Sequence, residues 1–314
     1  MNLKVLVSEY LSFRRSLGYK LERTSRHLNT FVRAIGDVNV RQITRIAVRK
    51  HLDGTGPLTT NWHKKHQAIK GMFRYAVNRG YIEVTPLPTE VPKCSTSFQA
   101  YIYSADEFRR LMAAAEHFGR PQNRFTSLAY QTLLLVLFNT GLRIGEALSL
   151  KLGDVDLAEN VITVRDGKFH KSRLVPISKR LADSMRRYVE HERAEALRRD
   201  PEAPFFAQRN GRPYSSIGAL NRFKRLCRRL SIRRTDKSRF SPRVHDIRHS
   251  FAISRLLTWY RNGNDVQRLL PQLSTYLGHI DIKSTQHYLT ILPELLDEAN
   301  ARFERYALGG RKHG

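Results

Sequence analysis

The chain has 314 residues, 41% of them apolar and 26% charged, which is the size of about two domains and the composition of a folded globular protein. Its 55 lysines and arginines against 28 acidic residues leave a formal charge of +27, a self-repulsion that nucleic acid or an anionic membrane would neutralise. The longest apolar run, Leu133 to Phe138, is six residues where a span needs about 20, no apolar signal core precedes Glu9, and Cys94 and Cys227 form neither a CxxC pair nor a zinc-finger spacing, so membrane, secreted and disulfide-scaffold readings fall away and a reducing cytoplasm is expected.

Leu3, Leu6, Val7, Tyr10, Leu11 and Leu17 recur at helical spacing before Gly18, and Leu28, Phe31, Val32 and Ile35 do so before Gly36. A third helical run through Trp62, Ile69, Met72, Phe73 and Val77 stops at Gly80. Its other face carries Lys64, Lys65, Lys70, Arg74 and Arg79, read as DNA contacts in preference to a merely solvated surface. Thr85 to Gln99, with Pro86, Pro88 and Pro92, has the texture of a linker. The organisation expected is a helical DNA-binding domain over 1–88, a linker over 89–102 and a second domain over 103–314. Residues 1–100 hold 17 basic and 6 acidic side chains and the remainder 38 and 22. Both parts are basic, as a clamp around a polyanion would be.

In the second part, Ser104 and Glu107 form a capping box that opens a helix. Leu128 to Phe138 is apolar nearly all round and predicts a buried helix closed by Asn139-Thr140-Gly141. Val161–Val164 and Leu174–Ile177 are β-rich runs that predict a hairpin, and helical spacing returns over Leu181–Ala196. From Arg222 to Arg243 there are ten basic residues and one acid, a density that gives salt-sensitive phosphate affinity. Arg225, Arg228 and Arg229 are its candidate contacts. The fold class expected is mainly α with a small β-sheet (α+β).

Four short pieces carry chemistry: Thr140-Gly-Leu-Arg143-Ile-Gly-Glu146, Gly167-Lys168-Phe-His-Lys171-Ser-Arg173, His245-Asp-Ile-Arg248-His249, and Leu277-Gly-His279 followed nine residues later by Tyr288. Singly, each has a bland reading: a helix cap, a solvated hairpin lysine, a C-cap histidine, a core tyrosine. Together they suit phosphodiester chemistry. Arginine forks bind two phosphate oxygens at once, so Arg143 and Arg248 can bracket a phosphate as charge builds in the pentavalent state. Tyr288 offers a hydroxyl with an ordinary pKa near ~10, a nucleophile once a base and nearby cations favour the phenolate. Lys168 is the candidate proton donor to the leaving oxygen. His245 and His279 can hydrogen-bond phosphate oxygens or help move the nucleophile's proton, and His249 supports them.

In this order and spacing the pieces resemble the signature of the tyrosine site-specific recombinases, the phage integrase family. The resemblance covers nearly the whole chain. It implies a helical, SAM-like core-binding domain ahead of the catalytic domain, and a 3′-phosphotyrosyl intermediate on Tyr288 that needs no metal, ATP or other cofactor. It further implies double-stranded DNA as partner, homo- or hetero-tetramers on that DNA, and a location in the cytoplasm at the nucleoid. Glu146 would then orient Arg143, and Lys171 and Arg173 would contact phosphates; Lys168 fits the catalytic lysine position better than Lys171. The tail from Leu289 to about Leu308 is expected to dock on a neighbouring protomer or on its own. His245 and His249 share the i, i+4 spacing of a zinc pair, but Arg248 between them disfavours a cation. The sequence also has no phosphate-binding GxxxxGK[ST] loop and no acidic cluster for two-metal catalysis.

The stretch between Arg248 and Leu277 is longer than in compact chromosome-dimer resolvases, and Leu273-Ser-Thr-Tyr-Leu-Gly-His279 is similar to recombinases of transposons and other mobile elements. A separate arm-binding domain ahead of residues 1–88 is not expected. Integration or excision of a mobile element is therefore the expected role. The alternatives are a catalytically silent accessory DNA-binding protein and a nicking enzyme similar to type IB topoisomerases.

Overall fold

Apolar spacing and glycine stops shape the first unit. The computed structural model describes residues 1–56, 58–93, 100–117, 126–165, 172–192, 200–208, 210–235, 241–279 and 281–290, and divides into two units, Met1–Ser97 and Phe98–Gly314. In the first, α1 (Leu3–Ser16), α2 (Glu22–Ile35) and α4 (Thr60–Asn78) are the three helices expected, and α3 (Arg45–Asp53) is a fourth. Gly18, Gly36 and Gly80, just past the ends of α1, α2 and α4, have positive φ, where a side chain is unfavourable. Leu3, Leu6, Leu28, Phe31, Ile69, Met72 and Phe73 are fully buried where α4 packs on α1 and α2. The short α3 buries only Val48 and Leu52 and leaves Ile46 exposed. That gives too weak a periodicity to read, although Thr44 caps it by accepting from the Ala47 N–H.

The second unit is built on α6 (Ser127–Thr140), which packs against α5 (Ala105–Glu116), α8 (Lys179–Glu192) and α10 (Val244–Arg261). The capping box opens α5 in both directions: the Glu107 N–H donates to Ser104 Oγ at 3.1 Å and the Ser104 N–H to Glu107 Oε2 at 3.0 Å. The hairpin forms between β2 (Val161–Val164) and β3 (Arg173–Pro176), antiparallel, with Ile162 opposite Val175 and both fully buried. A two-residue β1 (Val155–Asp156), too short to announce itself, adds to the β2 edge. The hairpin turn, with Lys168 and Lys171, lies outside the described residues, as do Cys94 to Gln99 of the linker and the tail from Ile291. Between α6 and the hairpin runs α7 (Ile144–Leu148); α9 (Ser216–Arg229) precedes α10. After α10 come α11 (Val266–Leu277), α12 (Lys283–Gln286) and a single 3₁₀ turn, His287–Thr290. Phe251, Leu256, Leu270, Leu273 and Leu277 form a small core of their own, and Tyr288 is part of it.

Gly141, at the end of α6, backs onto that small core. Its φ is +63°, and a Cβ there would stand 2.6 Å from Phe251 Cδ1 and 2.9 Å from Leu277 Cδ2. Gly141→Ala combines a left-handed backbone penalty of about 1 kcal/mol with overpacking of about 1–3 kcal/mol. Denaturant unfolding is expected to show a loss of roughly 2–4 kcal/mol; an unchanged transition would contradict the contact.

Candidate active site

The end of α11 organises the site. Gly278 turns the chain left-handed (φ +68°), and the final carbonyls of a helix have no partners within it and carry its negative dipole end. Three consecutive carbonyls each take an arginine from a different element. Arg173 Nε donates to the Tyr276 carbonyl at 2.8 Å, Arg248 Nη2 to Leu277 at 2.6 Å, and Arg143 Nη2 to Gly278 at 3.3 Å. The other arm of Arg248 donates to the Gly141 carbonyl at 2.8 Å. This guanidinium, only 2% exposed, is thus held between the C-terminal ends of α6 and α11. Burial lowers its pKa to about 10, which still leaves it charged at neutral pH. A side chain on Gly278 would come within 2.7 Å of Arg173 Nη1, so the Leu-Gly-His motif has glycine where the arginines crowd closest.

Glu146 ties the arginines to one another. Its Oε1 accepts from Arg143 Nη1 at 2.7 Å and its Oε2 from Arg173 Nη2 at 2.9 Å, and the Arg143 N–H donates to Oε2 at 2.9 Å. Burial acts to raise the pKa of this carboxyl, but the hydrogen bonds from Arg173 and Arg143 outweigh it and the net shift is downward. Glu146 therefore holds Arg143 in place. Arg173, expected at a phosphate, has a side chain 10% exposed whose nitrogens donate to Glu146 and to the Tyr276 carbonyl, which joins β3 to the end of α11. Arg143, with a side chain about one-third exposed at 34%, is the more open of the two partners of Glu146.

The histidines and Tyr288 complete the cluster. His245 lies exposed on the first turn of α10 and His249 one turn further on, their rings 4.9 Å apart and perpendicular. The Tyr288 hydroxyl lies 3.1 Å from His249 Nδ1, and its ring stacks on His279 with centroids 6.1 Å apart. His279 Nδ1 bonds the hydroxyl of fully buried Thr285 at 2.7 Å. Tyr288 is 2% exposed; burial raises its pKa, and the charges of Arg248 and Arg143 pull the other way. Burial first, then the surrounding cations, brings His249 down to about 3 and His279 to about 4. Both imidazoles are neutral at pH 7 and can accept a proton or a hydrogen bond.

A pH dependence follows. The unfolded chain protonates these histidines near pH ~6.5, whereas the folded one resists until about pH 4 for His279 and about 3 for His249. Between those values the unfolded state binds more protons, so stability is full above pH ~6.5 and falls as the pH drops through the window. The unfolding temperature of the DNA-free protein should decline from pH 7 to pH 4.5, with a shallower slope in His279→Gln. Equal slopes for the two proteins would contradict the burial of this imidazole.

Sequence reasoning passed over several contributors. Thr285 gave no signal. Arg243 caps α10 by pairing with the nearly fully buried Asp246 at 2.9 Å; an acid at the third helical position was the available cue. Of the basic residues proposed for DNA, Lys64, Lys70 and Arg74 lie exposed on α4, and Arg225, Arg228 and Arg229 exposed on α9. Lys65 is half-buried, and its Nζ donates to the His51 carbonyl at 3.2 Å. Among the described residues no three His, Cys, Asp or Glu side chains gather as a metal site.

A family model described as the phage integrase family matches residues 102–294. The chain is 34% identical over 303 residues to the putative integrase/recombinase y4rB of Sinorhizobium fredii, covering 95% of this chain and 96% of that protein. It is 26% identical over 270 residues to the tyrosine recombinase XerD of Halalkalibacterium halodurans, covering 84% and 83%. Its fold matches the Tn1549 transposon integrase at a TM-score of 0.68 and 17% identity, over 98% of this chain and 100% of that one. It also matches lambda integrase in a dimer bound to a COC′ core site at 0.67 and 17%, over 92% and 77%. These likenesses bear out the mainly helical fold with a small sheet.

Proposed function

This chain belongs to the phage integrase family and is a tyrosine recombinase, and we propose that Tyr288 is its nucleophile and that Arg143, Arg248, His245 and His279 surround the scissile phosphate of double-stranded DNA. The observation that carries this reading is the Tyr288 hydroxyl set against His249 within a cluster of arginines, where both helix ends and Glu146 fix the guanidinium groups in advance. Fixed cations stabilise developing phosphoryl charge without reorganising at the moment of reaction. The phenolic oxygen attacks phosphorus, the bond to the 5′ oxygen breaks, and that oxygen takes a proton, a role the sequence gives to Lys168. A 3′-phosphotyrosyl bond and a free 5′ hydroxyl result. Attack on that bond by a 5′ hydroxyl from a partner duplex regenerates Tyr288 and joins a new strand.

The +27 charge, with exposed Lys64, Lys70 and Arg74 in one unit and Arg225, Arg228 and Arg229 in the other, suits phosphate contacts along a duplex. Similarity to a transposon integrase solved in complex with transposon right end DNA supports a role in moving a mobile element. Similarity to a lambda integrase tetramer bound to a Holliday junction supports four protomers acting together. No helix among the described residues is long and apolar enough to cross a membrane, in keeping with action at the nucleoid.

The test mixes the full-length protein with nicked duplexes tiling the DNA that flanks its own gene, in EDTA, and denatures with SDS. A protein–DNA band that survives SDS is expected. Salt-sensitive binding with no such band on any duplex would favour an accessory DNA-binding protein.

A further inference from the structure

The proton of the nucleophile needs an acceptor, and three histidines surround it. His279 presents its ring face to Tyr288, at an interplanar angle of 27°, and its Nδ1 is engaged by Thr285. His245 stands a full helical turn away on the exposed end of α10. His249 alone among the three has a ring nitrogen bonded to the Tyr288 hydroxyl, at 3.1 Å. Its ring lies between the two others in question, 5.5 Å from Tyr288 and 4.9 Å from His245. The geometry points to His249 as a catalytic base: it takes the Tyr288 proton on Nδ1 and passes a proton on through His245 to solvent.

This inference rests on Tyr288 being the nucleophile. As the O–H bond breaks, its electron pair stays on the phenolic oxygen and forms the bond to phosphorus, while the proton joins His249 Nδ1. The imidazolium then releases its Nε2 proton toward His245, which solvent reaches directly. The leaving 5′ oxygen draws its proton from a separate donor, so the two ends of the reaction are chemically independent. The charges facing His249 are Arg243, Arg248, His245 and His279, cationic or neutral. Burial, and after it these charges, keep the imidazole unprotonated before DNA binds, with a lone pair for the hydroxyl, and the incoming phosphate offsets the charges. The i, i+4 spacing that looked like a zinc pair is on this account a two-step path for a proton out of a buried site.

The experiment uses the full chain and whichever duplex captures the wild type. It measures single-turnover adduct formation for wild type, His249→Gln, His249→Ala and His245→Gln, on ordinary DNA and on the same duplex with sulfur replacing the leaving 5′ oxygen, a leaving group that departs without a proton. His249→Gln should be slower by about 10²-fold or more on both duplexes, with DNA affinity retained, and added imidazole should restore part of the rate of His249→Ala. His245→Gln should show a smaller defect and an altered pH profile. Wild-type rates in His249→Gln, a defect that disappears with the sulfur leaving group, or a loss that imidazole does not rescue would each overturn the assignment, the last by marking a structural role. Adducts absent from the wild type on every duplex would instead overturn the reading of Tyr288 itself.

Discussion

Tyr288→Phe should abolish covalent capture of DNA while the protein still binds the same duplex. The change removes one hydroxyl and keeps the ring, which is 2% exposed in the small core of α10 and α11 and stacked on His279. Its structural cost is the hydroxyl's bonds to His249 at 3.1 Å and to Arg248, about 1 kcal/mol for a typical hydrogen bond, so the fold should survive. Without the hydroxyl no oxygen is left in that position to attack phosphorus, and a partial rate is not expected. The measurements are the SDS-resistant band and a gel-shift titration on one duplex. A Phe variant that still forms adducts would place the nucleophile elsewhere.

Arg248→Ala should have the next largest effect, a loss of about 10³-fold or more in adduct formation, the range found when a preorganised cation or oxyanion donor is removed. It should also destabilise the catalytic unit, because the carbonyls of Gly141 and Leu277 lose their shared donor inside the protein. Arg248→Lys separates the two contributions. An ammonium group keeps the charge but cannot span two carbonyls and a phosphate as a planar fork does. It should therefore recover some stability and little activity. If Lys restored both, charge alone would be what the site needs and the helix-end cradle would be incidental. The readouts are single-turnover rates and denaturant midpoints for the three proteins.

Much of this site is written in residue identity, and that part reads directly from sequence. Arg143, Glu146, His245, Arg248, His279 and Tyr288 converge around the end of α11, because each has a chemical reason to be where it is and the motifs that carry them are compact. Helices with a full apolar stripe, such as α1 and α4, or apolar nearly all round, as α6 is, read well for the same reason. What sequence did not disclose is made of backbone or of geometry. The cradle is three carbonyls, at Tyr276, Leu277 and Gly278, and carbonyls leave no trace in residue identity. Arg173 sits in a basic hairpin and looks like a phosphate contact; only the register that pairs it with Val164 beside the end of α11 turns it toward Glu146. His249 reads as a supporting residue because its motif assigns the chemistry to its neighbours; its contact with the Tyr288 hydroxyl is set by the 3₁₀ turn at His287–Thr290, which no motif announces. The short α3 and β1 bury too few side chains to produce a period.

The most direct test of Tyr288 as the nucleophile is to identify the amino acid that carries the DNA. Adducts formed by the wild-type protein would be digested with nuclease and protease, and the peptide bearing the residual nucleotide phosphate sequenced by mass spectrometry. A phosphate ester on Tyr288 is expected. A nucleotide on any other of the 13 tyrosines, or on a serine or histidine, would contradict it.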